Sequence, residues 1–173
     1  MSAKYMLHHR ACRSPLEHLG PNTFFRRVIQ ESGPGDNLAH RTHQLDPPHQ
    51  IRKVIFCTGK VFYDLYHARG AKKARDITFV RLEQIAPFPF DRLAKILAQF
   101  PNAECVWAQE EPKNMGAYSY VAPRFMTMQK MFLQHHALRD LKYIGRNPSA
   151  SPATGLFKVH IQETKDIISE ALS

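Results

Sequence analysis

The chain has 173 residues, 43% of them hydrophobic and 23% charged, enough for one globular domain with its own core and no need of disulfide or metal staples. Its net charge of +9 raises the question of nucleic acid. The basic residues, however, fall in short clusters (Arg26-Arg27, Arg52-Lys53, Lys72-Lys73-Arg75) interrupted by acids such as Glu110-Glu111, and no zinc-finger or RNA-recognition signature accompanies them. No apolar run is long enough to span a bilayer, no leader or targeting signal is expected at the start, and three cysteines without a C-x-x-C point to reduced thiols.

Residues 1–50 read as an arm or interdomain linker. Gly20-Pro21, Gly33-Pro34-Gly35-Asp36-Asn37 and Pro47-Pro48 punctuate them, six histidines fall among them, and the only apolar stretch is the brief Phe24-Phe25-Arg26-Arg27-Val28-Ile29. From residue 51 to 173 strand and helix alternate. Val54-Ile55-Phe56-Cys57 is a short apolar run closed by Thr58-Gly59, as a strand buried on both faces requires. Val61, Leu65 and Ala68 then share a helical face, with Gly70 where a terminator belongs. Ile77-Thr78-Phe79-Val80 is a second strand. Pro87-Phe88-Pro89 breaks the chain before a helix expected to be capped by Asp91, with Leu93, Ile96, Leu97 and Phe100 on its apolar face.

Glu104-Cys105-Val106-Trp107-Ala108 is the third strand. Tyr118, Val121, Phe125, Met128 and Phe132 mark a long helix, in which Pro123 suits the first turn. Leu141 to Gly145 is a fourth strand, and Thr164, Ile167, Ile168, Ala171 and Leu172 line a last helix. The pattern predicts an α/β fold, a three-layer α/β/α sandwich around a mostly parallel sheet.

Ligands of such sheets sit outside the carboxyl ends of the strands, which here carry Thr58-Gly59-Lys60, Glu83-Gln84, Gln109-Glu110-Glu111 and Gly145-Arg146. Thr58-Gly59-Lys60 lacks the flanking residues of a phosphate loop, and Val61 stands where Ser or Thr is needed. It reads as a turn. Glu110 and Glu111 are adjacent, so their side chains diverge from a strand; pairing with Arg or capping the helix entrance near Asn114-Met115-Gly116 is the expected role. His8-His9 and His135-His136 lack metal-ligand spacing, and no nucleophile motif is present. Cys57 and Cys105 read as small buried hydrophobes.

Several ordered phrases carry a resemblance: Phe56-Cys57-Thr58-Gly59-Lys60-Val61-Phe62-Tyr63-Asp64-Leu65, Arg81-Leu82-Glu83-Gln84-Ile85-Ala86-Pro87-Phe88-Pro89, Gln109-Glu110-Glu111-Pro112-Lys113-Asn114-Met115-Gly116, and Ser149-Ala150-Ser151-Pro152-Ala153-Thr154-Gly155. Together they resemble the transketolase-like C-terminal domain of the 2-oxoglutarate dehydrogenase family, with 2-oxoadipate dehydrogenase close beside it. The resemblance implies a piece of a longer enzyme that decarboxylates 2-oxoglutarate on thiamine diphosphate and Mg²⁺ in the tricarboxylic acid cycle. The succinyl group would pass to the succinyltransferase core of the complex. It further implies packing against upstream domains, contacts with a homodimer partner, and a mitochondrial matrix location in a eukaryote or a cytoplasmic one in a bacterium.

The family's cofactor sequence, G-D-G followed by a distant Asn-Asn, has no counterpart; Gly35-Asp36-Asn37 lacks the second glycine. No catalytic, cofactor-binding or metal-binding residue is therefore expected in this chain. Some bacterial relatives carry an acetyl-CoA activator site, and Gln84 and Arg92 match part of it, with Asp91 where a base belongs. The alternative reading is thus an independent regulatory module that binds a phosphate-bearing effector such as acetyl-CoA.

Overall fold

The computed structural model describes residues 4–9, 11–31, 44–133 and 138–173. Gly33-Pro34-Gly35-Asp36-Asn37, His40, His43 and the His135-His136 pair lie outside them.

Five strands form one sheet: β1 (Val28–Gln30), β2 (Lys53–Cys57), β3 (Ile77–Leu82), β4 (Glu104–Pro112) and β5 (Leu141–Arg146), in spatial order β1-β3-β2-β4-β5. β2 lies parallel to both β3 and β4, β5 is parallel to β4, and β1 is antiparallel to β3. Three α-helices connect β2 to β5, α1 (Val61–Lys72), α2 (Phe90–Leu97) and α3 (Tyr118–Phe132), and α4 (Phe157–Ala171) follows β5.

The side-chain alternation of the strands divides the core in two. Val54 and Phe56 of β2, Val80 and Leu82 of β3, and Cys105 and Trp107 of β4 pack with Leu93 and Leu97 of α2 and Val121, Phe125 and Met128 of α3. Ile55, Cys57, Ile77, Phe79, Val106 and Ala108 face the other way, onto Phe62 and Leu65 of α1 and Ile167 and Ala171 of α4. The result is the expected three-layer α/β sandwich. A buried strand satisfies its backbone in the ladder and its apolar side chains on both faces, which is why these runs are continuous rather than alternating.

Three local expectations differ from what the chain does. Gly70 does not end α1; the helix runs on to Lys72, and Lys73 takes the left-handed conformation (φ 55°) with its N–H donating to the carbonyls of Arg69 and Gly70. A glycine inside a helix costs only about 1 kcal/mol against alanine, less than the buried face of α1 supplies. Asp91 is not the cap of α2. Leu93 donates to the Pro89 carbonyl, so Pro89 is the cap and the helix starts two residues earlier than expected, and the Asp91 carboxylate turns to Arg27 instead. Pro123 is the sixth residue of α3, past its first turn. It deletes one backbone bond from an exposed side of the helix, while Val121, Phe125 and Met128 on the other side hold α3 to the sheet.

The stretch before residue 51 also contributes to the sheet. β1 pairs Val28 with Leu82, Ile29 with Arg81 and Gln30 with Val80. Just beyond it, Glu31 is buried and forms a two-pronged ion pair with Arg69 of α1, whose Nη1 donates to Glu31 Oε2 at 2.7 Å.

Candidate functional site

In a sheet of this order the connection reverses direction between β2 and β4, and the crevice at their carboxyl ends is where a ligand would enter. Here a bridge of side chains fills it. Gly59 turns the chain with φ +73°, placing Lys60 ahead of α1. Lys60 Nζ donates to Glu110 Oε1 at the end of β4 (2.8 Å) and to Asp64 one turn along α1. Burial opposes the ammonium charge, but the two carboxylates outweigh it and raise the Lys60 pKa. Thr58-Gly59-Lys60 is a structural turn, and Glu110 pairs with Lys rather than Arg.

The neighbouring Gln109, 2% exposed, organises the loop between β4 and α3. Its Nε2 donates to the carbonyls of Pro112 (3.1 Å) and Met115 (2.8 Å), and its Oε1 accepts from Trp107 Nε1 (2.8 Å) and the Tyr118 N–H (3.0 Å). The helix entrance expected to be capped by Glu110 or Glu111 is thus satisfied by Gln109. Gly116 (φ +66°) lies so close that an added Cβ would stand 3.0 Å from Gln109 Nε2.

At the end of β5, Arg146 meets Glu163 of α4 (Nε to Oε2, 3.1 Å) and His160 (Nη2 to Nδ1, 2.6 Å), and Thr154 donates to the same Glu163 oxygen at 2.5 Å. A cavity of about 620 Å³ lies against this cluster, with Asp166 and Glu170 on its α4 wall. Arg146, the cation in its lining, is already matched by the Glu163 carboxylate.

The two residues singled out as effector contacts engage different neighbours. Gln84 donates to the Pro87 carbonyl (3.0 Å) within its own loop. Arg92 lines a groove of about 460 Å³ between β1 and α2, together with Arg26, Arg27, Lys95, Phe24 and Phe25. Asp91 accepts from Arg27 (2.8 Å) and lies 3.6 Å from Arg92. Slight burial raises its pKa, but the hydrogen bond and charge of Arg27, with Arg92, overcome that and hold the carboxyl below the usual range.

A family model described as 2-oxoglutarate dehydrogenase C-terminal matches residues 13–172. The chain belongs to this family. It is 42% identical to "2-oxoglutarate dehydrogenase, mitochondrial" of Caenorhabditis elegans over 171 residues, 98% of this chain and 15% of that protein. It is 39% identical to "2-oxoglutarate dehydrogenase-like, mitochondrial" of Pongo abelii, again over 98% of this chain and 15% of the relative. A "Probable 2-oxoadipate dehydrogenase complex component E1 homolog" of Dictyostelium discoideum is 37% identical over 98% of this chain and 17% of its own length. The chain thus spans about a sixth of the relatives it matches.

Membership of a 2-oxoglutarate dehydrogenase family raises the question whether this C-terminal domain offers ligands for thiamine diphosphate and Mg²⁺. Among the described residues no group of three or more His, Cys, Asp or Glu could hold a metal ion. Also among the described residues, no helix is long and apolar enough to cross a membrane. Cys57 and Cys105 are buried, as their apolar settings predict, and burial pushes their thiols up to about 12 and about 11.

The basic neighbours of Arg92 are gathered from separate elements. Lys95 lies three residues on, on the same helical side, and that spacing was the available signal. Arg26 and Arg27 are brought to it by β1, which no local pattern announces.

Proposed function

We propose that this chain is the C-terminal packing domain of a 2-oxoglutarate-decarboxylating enzyme and performs no chemistry by itself. The observation that carries the reading is the likeness over nearly the whole chain to proteins about six times longer. Thiamine diphosphate and Mg²⁺ would be held by the upstream domains, where the cofactor supplies the carbanion chemistry of decarboxylation. The residues of this chain hold its own layers together and offer apolar side chains to a neighbour. Leu156 and Phe157 at the start of α4 are 68% and 76% exposed, and large apolar side chains grouped in this way mark surface meant to be covered. Upstream domains and a homodimer partner are the occupants that fit the reading. The assembled enzyme would feed the succinyltransferase core of a 2-oxoacid dehydrogenase complex in the mitochondrial matrix. 2-Oxoadipate is the competing substrate, since one of the relatives carries that name.

A second reading is supported by the groove beside Arg92, where Arg26 and Lys95 have no ion-pair partner among the described residues. A regulatory module binding a phosphate-bearing effector such as acetyl-CoA would use those cations, with Gln84 outside the contact set.

The test is 2-oxoglutarate decarboxylation with thiamine diphosphate and Mg²⁺ by the purified chain alone, and by the upstream portion of the nematode relative with and without it. Silence alone and activity raised by the mixture are expected. Turnover by the isolated chain would overturn the reading.

A further inference from the structure

β1 is the outermost strand of the sheet, three residues long, with β3 on one side and no described strand on the other. Antiparallel pairing alternates the direction of backbone groups. The Arg27 carbonyl accepts from Glu83 and the Glu31 N–H donates to Phe79, so residues 27, 29 and 31 address β3. The N–H and C=O groups of Val28 and Gln30 therefore face the open side. Such an edge is a template for another extended chain.

α2 runs alongside this edge and is fastened to it at both ends. Arg27 pairs with Asp91 at the start of the helix, and Gln30 Nε2 donates to Gln99 Oε1 just past its end, at 3.0 Å. The groove of about 460 Å³ lies between the two fastenings. Its charge is one-sided: among the described residues Arg26, Arg27, Arg92 and Lys95 line or flank it, and Asp91 is the carboxylate paired with them. Phe24 and Phe25, 87% and 71% exposed, stand at its wall. An open strand edge, a helix beside it, surplus positive charge and bare aromatic rings together describe a receptor for an extended peptide, in which main-chain bonds give affinity and side-chain pockets give choice.

We propose that an extended acidic segment of a partner protein docks in this groove, adding as a strand to the outer edge of β1 with its carboxylates against Arg92 and Lys95. Alternate side chains of an added strand point to opposite sides, so a sequence alternating Glu with Val sets its acids toward α2 and its apolar residues away from it. This inference does not depend on the reading of the chain as an enzyme domain.

The probe is a blocked, fluorescent ten-residue peptide of alternating Glu and Val, titrated into the full chain at low and high salt. A Lys–Val peptide and inorganic diphosphate serve as comparisons. Saturable binding of the Glu–Val peptide, weakened by salt, is expected. Arg92→Glu combined with Lys95→Glu should weaken it by at least about tenfold, since attraction becomes repulsion at an exposed site that leaves the core untouched. Val28→Pro removes an outward N–H without touching the β3 ladder and should weaken binding about fivefold. Peptides N-methylated on the amides that face β1 should lose binding, and those methylated on the other amides should keep it, which tests strand addition even if the proline variant fails to fold. The proposal is overturned if the Lys–Val peptide binds as well. It is equally overturned if diphosphate alone binds through Arg92 and Lys95, or if β1 instead pairs two copies of this chain in a concentration-dependent dimer.

Discussion

Arg69 is 0% exposed and the Glu31 side chain 3%, so breaking their pair leaves a charge in the core without a counter-ion. In Arg69→Met the Glu31 carboxylate keeps only a long contact from the Phe79 N–H (3.3 Å), and the Ile77 carbonyl loses the donor it had at 2.7 Å. Removing one partner of a buried pair costs about 3–5 kcal/mol, whereas replacing both by apolar groups is often close to neutral. A chain of this size unfolds in urea with a slope of about 2.5 kcal/mol/M, so the midpoint of Arg69→Met should fall by about 1.2–2 M. Trp107, the only tryptophan and fully buried, reports the transition by fluorescence. Arg69→Met with Glu31→Leu should recover most of the loss, so the coupling in the double-mutant cycle should be at least as large as the cost of one single variant, about 3 kcal/mol or more. A single-variant cost below about 1 kcal/mol, or a double variant that loses the sum of both singles, would refute the argument. It would mean that β1 and its flank are loosely held and that Glu31 reaches water.

Gln109→Leu strips two donors' worth of bonds from the loop carbonyls and the acceptor of Trp107 Nε1. A loss of about 2–4 kcal/mol is expected, with faster proteolysis between Pro112 and Ala117 as the second readout. Gly116→Ala meets both a positive φ and Gln109 Nε2 at 3.0 Å, and should lower the urea midpoint by an amount equivalent to about 1–2 kcal/mol. A thiol reagent at pH 8 should titrate Cys12 in the native chain and all three cysteines after unfolding, because burial pushes Cys57 to about 12 and Cys105 to about 11. Burial also raises the Tyr143 phenol to about 12. A folded pKa above the unfolded value near 10 means that the unfolded chain loses its proton first. The stabilisation is therefore complete below pH 10 and lost as pH climbs toward 12, and Tyr143→Phe should flatten the decline in melting temperature over that window.

The three inner strands β2, β3 and β4 were legible because burial on both faces writes itself into a short, mostly apolar run, as in Val54-Ile55-Phe56-Cys57. The helices were legible from their spacing. What escaped was set by contacts distant along the chain. Glu31 and Arg69 are 38 residues apart, and neither local context marks a charge that will be buried. Asp91 has the composition of a cap, yet Arg27, 64 residues away, takes its carboxylate. Gln109 looked like one polar residue among three at a strand end, and only the folded loop reveals that it, not Glu110 or Glu111, serves the helix entrance. The candidate groove was half legible: Arg92 stood out, but its companions arrive on β1, a strand too short to show a period.

Lys53 begins the central strand and is 3% exposed, and its ammonium donates to the carbonyls of Ala171 (3.2 Å) and Ser173 (3.0 Å), about 120 residues away. Burial lowers its pKa despite the Glu104 carboxylate 3.8 Å away, so those acceptors help the site to hold the charge. During synthesis β2 emerges long before α4 does. Until α4 is made, the amino end of β2 must keep its lysine in water, and the α1 face of the sheet has no seal at that end. The contact therefore makes closure of the core at that end of β2 conditional on the docking of α4, so the first residue of the central strand and the last turn of α4 order together.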